Sequence, residues 1–323
     1  MRNGEADAVP FARKDTLLFR HTLLAATRNR AARRIVETAP GTRRIVRRFV
    51  AGETTDDAVD VTAELAGEGL LVSLDALGED TLDTAQAEAN VQDLADLLGR
   101  LAEAGLAGKA EVSLKLSAVG QALDEPFALE NARKVCAAAH DAGTTVTLDM
   151  EEHDTVESTL RVLTELRREF PETGVAIQSY LRRSEEYCAE LAHEGSRVRL
   201  CKGAYSAPES IAFTDRVEID KSFVRCLRVL MAGQGYPMLA THDPRLIEIG
   251  GALATLHDRA PSDFEYQMLY GIRPQEQRRL AGEGARVRIY VAFGREWYAY
   301  FMRRLAEKPA NLGFLFRSMA SRS

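Results

Sequence analysis

AEVSLKLS (residues 110–117), EPFALENARKVCAAAHDAG (125–143) and TTVTLDM (144–150) form the stretch on which the reading of the fold turns. The first and third pieces are short apolar runs of the length expected for a buried parallel strand. In the middle piece apolar residues recur every three or four positions, the spacing of a helix with one apolar face. Each run also closes on a polar or charged group, Lys115 in one and Asp149 in the other.

Working outward, the same unit repeats. GLLVSLDA (69–76) precedes it, and GVAIQSY (174–180), RVRLCKG (197–203), YPMLATH (236–242), FEYQMLYG (264–271) and RVRIYVA (286–292) follow, separated by helical stretches such as DTVESTLRVLTELRREF (154–170). Eight strands alternating with helices point to an α/β chain folded as a closed (β/α)8 barrel of the TIM type, since right-handed crossovers place the helices outside. An open doubly wound sheet fits less well, because no G-x-G-x-x-G follows the first strand.

The composition is that of an ordinary globular protein with a large core: 323 residues, 46% hydrophobic and 28% charged. No stretch approaches the length of a membrane span. Charge is uneven, with 12 Lys+Arg against 4 Asp+Glu in residues 1–50, a net of +8 inside a chain of net charge −6. In this leader Leu17, Leu18, Leu23, Leu24, Ile35, Val36, Ile45, Val46 and Val50 sit among arginines at roughly helical spacing. We expect residues 1–65 to be a helical extension, its first dozen residues disordered, with the catalytic barrel over 66–323. The extension either packs on the barrel with a solvated basic face or touches an anionic surface. Cys136, Cys188, Cys201 and Cys226 show no C-x-x-C spacing and no secretory h-region precedes the barrel, so a cytoplasmic location with reduced thiols is expected.

In such barrels the C-terminal strand ends form the active face, and Lys115, Asp149, Gln178, Arg199, Lys202, Thr241, His242, Gln267 and Tyr290 fall at or near them. Alternation points Lys115 into the barrel, where its ammonium needs an anionic partner: a ligand, or an internal pair with Asp149 or Glu79. Glu151, Glu152 and His153 follow Asp149, but with one histidine and consecutive loop residues that point apart, Glu152 and His153 read as solvated charge and no metal site is expected. RVRLCKGAY (197–205) brings Arg199 and Lys202 ahead of Gly203, which suits an anionic or electron-rich cofactor; the alternative is that its arginines point out to the helices. The stretch after the last strand carries Trp297, Tyr300, Phe301 and Arg304 at i, i+3, i+4 and i+7, with Arg303 beside them. An arginine pair there either clamps a carboxylate near Tyr300 and Tyr290 or is solvated. Serine hydrolase, metalloprotease, Walker and disulfide-redox motifs do not appear.

Taken in order, VSLKLS, TLDMEE, IQSYLRRS, RVRLCKGAY, ATHDPR, FEYQMLYGI, RVRIYVAFG and WYAYFMRRLAEKPANLGF closely resemble the proline dehydrogenase family, and the match runs from about residue 70 onward. The resemblance implies a distorted barrel with noncovalent FAD that oxidises L-proline to Δ1-pyrroline-5-carboxylate and passes electrons to a quinone. It implies a monofunctional form, since no aldehyde dehydrogenase module follows, with transient contact to the inner face of the membrane and no nucleic-acid partner.

The resemblance assigns the substrate carboxylate to Arg303 and Arg304 assisted by Lys115, and the ring pocket to Tyr290, Tyr300 and Tyr205. It assigns the cofactor to Asp149, Met150, Gln178, Arg199, Cys201, Lys202, Gly203, Ala204, Thr241, His242, Gln267, Glu307 and Phe314, with Arg199 near flavin N5, and a closing gate to Glu79 and Arg303. Two departures stand out: Cys201 where the family commonly has valine, and Ala292 where it commonly has proline. Rival readings are flavin-dependent oxidation of a related cyclic imino acid such as hydroxyproline, a Schiff-base aldolase using Lys115 or Lys202, and a noncatalytic binder working through the basic leader.

Overall fold

The eight strands close on themselves in a computed structural model of the chain, which describes residues 45–78, 81 and 83–307. They are β1 (Leu71–Ala76), β2 (Ala110–Leu114), β3 (Val146–Leu148), β4 (Gly174–Gln178), β5 (Arg197–Cys201), β6 (Tyr236–Ala240), β7 (Glu265–Leu269) and β8 (Val287–Phe293). Every neighbouring pair is parallel, and β1 pairs with both β2 and β8. The expected leader helices around Leu17–Val36, and the assignments on Glu79 and Phe314, lie outside the described residues, as does the side chain of Glu307.

Strands β2 to β7 are shorter at their C-terminal ends than their apolar runs suggest, whereas β1 ends with its run and β8 extends one residue past it. The reason is visible after β2, where Lys115 leaves the sheet and Leu116–Val119 form a 3-10 turn ended by Gly120 at φ 103°. Lys115 and Asp149 thus lie just past their strands at the mouth of the barrel, while Asp75, Gln178, Arg199, Gln267 and Tyr290 remain within theirs.

Helices between the strands carry the signals their sequences announce. In order they are α1 (Thr55–Gly67), α2 (Thr84–Glu103), α3 (Glu125–Ala142), α4 (Val156–Leu166), α5 (Ser184–Leu191), α6 (Arg216–Ala232), α7 (Pro244–Leu256), α8 (Pro274–Gly282) and α9 (Trp297–Glu307). Helix α3 starts where Asp124 accepts the Phe127 N–H, has a proline in its first turn and stops at Gly143, which adopts φ 81°. Helix α2 buries Val91, Leu94, Leu98 and Leu101 on one face, the stripe the 3.6-residue period demands.

The ring has one irregularity. Helix α1, which precedes the first strand, packs against β1 and β8. Helix α9, which follows the last strand, instead joins a second apolar cluster with Phe49, Val50, Ile272 and Ala292, and Leu77 and Leu269 pack beside it. Leu77, Leu269, Ile272 and Ala292 lie at or just past the C-terminal ends of β1, β7 and β8, so α9 lies across the mouth instead of outside the wall. The expectation that crossovers place every helix outside fails for this last one, because α1 already covers the β8–β1 seam.

Candidate active site

Inside the barrel, polar side chains replace the layers of branched apolar residues that usually fill such a core. Ser73, Asp75, Glu111, Ser113, Arg199, Glu265, Gln267 and Arg288 are all buried there. Four carboxylates (Asp75, Glu111, Asp149, Glu265) meet four cations (Lys115, Arg197, Arg199, Arg288) through ion pairs. An unpaired charge at such depth is prohibitively costly, so the balance is what lets these groups remain ionised.

Arg199 is the centre of the set. A guanidinium has five N–H donors, and all five are taken: Nε donates to Gln267 Oε1 at 2.6 Å, Nη1 to Ser113 Oγ and Asp149 Oδ1 at 2.6 Å each, and Nη2 to Ser73 Oγ at 2.9 Å and Glu111 Oε1 at 3.0 Å. The strand's arginines thus point inward, not out to the helices. A direct hydrogen bond from Arg199 to a cofactor requires that one of these acceptors be given up. Gln267, at the same depth, spends its amide on Glu265 Oε1 at 2.6 Å, so both its polar atoms serve the barrel interior.

Nearer the mouth, Lys115 pairs with Asp75 and lies 3.4 Å from Asp149 Oδ2. Asp75 was missing from the sequence expectation, which offered Asp149 or Glu79 as the partner. Tyr290 donates to Asp149 Oδ2 at 2.6 Å, and the Arg199 guanidinium carbon sits 5.3 Å from the centre of the Tyr290 ring. Burial raises the Asp149 carboxyl, but Lys115, Arg199 and the Tyr290 hydroxyl outweigh it and hold the group below the usual carboxylate range. Burial, together with Asp149 and Asp75, pushes the Tyr290 phenol well up, so it stays a donor. Glu111 follows the same logic lower in the barrel: burial opposes ionisation, and Arg288, Arg197 and Arg199 bring it down to about 2.

The other expected residues ring this centre. Gln178 is buried at the end of β4, where its Nε2 donates to the Met150 carbonyl at 3.0 Å and its Oε1 has no partner among the described residues. Lys202 is half-buried and pairs with Asp220 at 2.5 Å and Asp243 at 3.5 Å. Gly203 takes φ +99°, and a Cβ there would overlap the Tyr180 ring. Thr241 Oγ1 accepts the Asp243 N–H at 3.2 Å, while His242 Nε2 accepts the Leu269 N–H at 2.9 Å. Burial raises the Cys201 thiol to about 11, so it behaves as an inert packing group beside Ile177. Ala204 is exposed and Tyr205 half-buried on the loop that follows.

On α9, Trp297, Tyr300 and Phe301 are buried in the second apolar cluster, and Arg303 and Arg304 are half-buried. Tyr300 lies under Arg304, whose guanidinium carbon is 5.2 Å from its ring centre. The expected aromatic stripe is thus the packed face of the helix, and the arginines occupy its margin. After β3, Glu152, His153 and Asp154 bring ligand atoms within 4.8 Å of one another, with Glu152 and Asp154 exposed. Ser73, Asp75, Glu111, Ser113, Arg197, Glu265 and Arg288 went unrecognised as members of the central set. Their signal was present as polar residues at every second position of strands that otherwise read as buried.

A flavin dinucleotide would need a buried polar group for its ring edge, a cation for its diphosphate and backbone that approaches closely. Gln178 Oε1, unpartnered among the described residues, would meet the first need and the Lys202 ammonium, now paired with Asp220 and Asp243, the second, while Gly203 at φ +99° beneath Tyr180 turns the backbone at the end of β5.

A barrel with a charge-balanced polar interior, a lysine and a carboxylate at its mouth and an arginine-bearing helix laid across that mouth is of the class whose polar groups gather at the C-terminal strand ends, where such barrels carry their active sites. Comparison with known proteins narrows the class. The family model "Proline dehydrogenase" matches residues 58–317. Proline dehydrogenase 1 of Bacillus subtilis (strain 168) is 36% identical over 302 residues, 94% of this chain and 99% of that protein. Proline dehydrogenase of Deinococcus radiodurans is 39% identical over 280 residues, 85% of this chain and 90% of that one. The chain belongs to the proline dehydrogenase family and is an oxidoreductase. Among solved structures, proline utilization A (PutA) from Bdellovibrio bacteriovorus superposes with a TM-score of 0.80 at 24% identity, over 97% of this chain and 39% of that one, a likeness of fold.

Proposed function

We propose that this protein oxidises L-proline to Δ1-pyrroline-5-carboxylate with FAD and returns the electrons to a quinone. The observation that carries the reading is the Lys115–Asp75–Asp149–Tyr290 group at the mouth of a barrel belonging to this family.

Arg303 and Arg304 hold the substrate carboxylate, and Lys115 adds a third cation. Tyr290, Tyr205 and Tyr300 bound the ring, with the Tyr290 hydroxyl fixed by Asp149 so that its edge crowds a ring substituent. Gln178, Lys202 and Gly203 would hold the cofactor, along with Met150, Cys201, Ala204, Thr241 and His242 around them. Arg199 and Gln267 act from beneath as part of the charge-balanced interior. Bound FAD supplies the acceptor for the hydride that leaves the ring carbon next to nitrogen. The substrate amine must first lose its proton, because an ammonium nitrogen has no lone pair to form the imine. Lys115, Arg303 and Arg304 around the substrate favour that neutral amine.

We further propose a cytoplasmic protein that meets the membrane only to reach its quinone. No helix of the described residues is long and apolar enough to cross a membrane.

The visible spectrum of the purified protein tests the function. Oxidised flavin bands that bleach anaerobically on adding L-proline are expected. A colourless protein that cannot be reconstituted with FAD would count decisively against it.

A further inference from the structure

Residues 45–53 enter the structure ahead of the barrel, yet they are bound to its last strand and last helix. Val50 bridges Ala292 in parallel, the Ala51 N–H reaches the Ala292 carbonyl at 2.9 Å, and the Gly294 N–H reaches the Gly52 carbonyl at 2.9 Å. Phe49 meets Phe301 with ring centres 6.2 Å apart. Trp297 Nε1 donates to Glu53 Oε1 at 3.0 Å. Beneath, Gly271 adopts φ +74° against the Arg48 carbonyl, where a Cβ would run into the oxygen.

These contacts matter because α9 lacks the support of the outer helix ring. Its position on the mouth is set by what it stands on, and that support is shared between the segment 45–53 and the strand-end residues Leu77, Leu269, Ile272 and Ala292. Arg303 and Arg304 lie about two helical turns, ~10 Å, beyond Trp297, so a tilt of roughly 5° at the start of the helix moves their guanidinium groups by about 1 Å. A displacement of that size is enough to weaken a bidentate grip markedly.

We propose that residues 45–53 are a positioning element for the arginine pair: Glu53, through Trp297, sets the register of α9 and with it the affinity for the substrate carboxylate. The inference rests on the clamp role given above to Arg303 and Arg304. Glu53 and Trp297 touch neither substrate nor cofactor; they act through the helix.

The test compares Glu53→Ala, Glu53→Gln, Trp297→Phe and the Glu53→Ala/Trp297→Phe double variant as flavin-loaded proteins. Removing one hydrogen bond should raise KM for L-proline about 3–10-fold in Glu53→Ala and in Trp297→Phe, with kcat and flavin content kept. Glu53→Gln retains an acceptor and should stay near wild type, and the double variant should be no worse than the worse single one. Trp297 is the chain's one tryptophan, so its emission reports the contact without any turnover: a red shift in Glu53→Ala and none in Glu53→Gln. Gly271→Ala, which collides with the Arg48 carbonyl, should raise KM further. A red-shifted Glu53→Ala with unchanged KM would overturn the proposal, and so would a loss of kcat and flavin together with KM. A wild-type flavin that L-proline fails to reduce would instead remove the function on which the proposal stands.

Discussion

Lys115 sits between two carboxylates, and the division of its ammonium between them decides what it can offer a substrate. Asp75 draws it away from Asp149, which leaves Asp149 Oδ2 to accept the Tyr290 hydroxyl at 2.6 Å. Asp75→Asn removes that pull, so Lys115 closes on Asp149 and competes with Tyr290 for the same oxygen. KM for L-proline should then rise by about tenfold, the equivalent of roughly 1.4 kcal/mol; steady-state kinetics with an unchanged KM would reduce Asp75 to a bare counter-charge. Arg303→Met and Arg304→Met each delete charge-assisted hydrogen bonds to the carboxylate, a loss of about 1.5–3 kcal/mol. Each should raise KM by roughly 10–100-fold with flavin still bound, and near-normal KM in both would sink the clamp. Lys115 and the arginine pair were legible in sequence because a charge inside an apolar run, or a doublet on an aromatic helix, is conspicuous. Asp75 was not, because LVSLDA reads equally well as a strand whose aspartate begins the next loop.

At the scale of elements, the ends of β4 and β5 carry the cofactor groups, and one glycine controls their geometry. Gly203 is held at φ +99° beneath the Tyr180 ring, a backbone conformation that other residues rarely adopt. Gly203→Ala combines that strain with displacement of Tyr180 and should weaken FAD retention about tenfold or more while the barrel still folds, as measured by flavin content alongside far-UV circular dichroism. A variant that keeps its flavin would show that the loop has slack. The strands themselves were readable as short apolar runs, and helices α3 and α4 as amphipathic stretches. The placement of α9 was not, because its sequence has the periodicity of an outer helix. Only the prior occupation of the β8–β1 seam by α1 sends it across the mouth.

For the whole molecule, the buried charges tie stability to pH. The Glu111 carboxyl, ordinarily near 4.5, is held at about 2 in the folded barrel, so folding binds fewer protons there than the unfolded chain does. Its contribution is complete above the unfolded value and is lost as pH falls from about 5 towards 2, on the order of 3 kcal/mol in all. Asp149 is shifted in the same direction. Denaturant unfolding at pH 7 and pH 4 should show lower stability at the acid end. Glu111→Gln should cost about 3–5 kcal/mol at pH 7, because three arginines lose a shared counter-charge, and should flatten the acid dependence; a variant as stable as wild type would refute the balance.

The sequence by itself determined the eight strands, their order and the polar residues at their ends, since a period of two or of 3.6 is a local property that each segment carries alone. The pairs that make the site were decided by tertiary structure. Lys115 meets Asp75 across 40 residues, Arg199 meets Glu111 across 88, Tyr290 meets Asp149 across 141 and Trp297 meets Glu53 across 244. Which inward layers coincide depends on the stagger of the closed strands, and no segment encodes that stagger on its own.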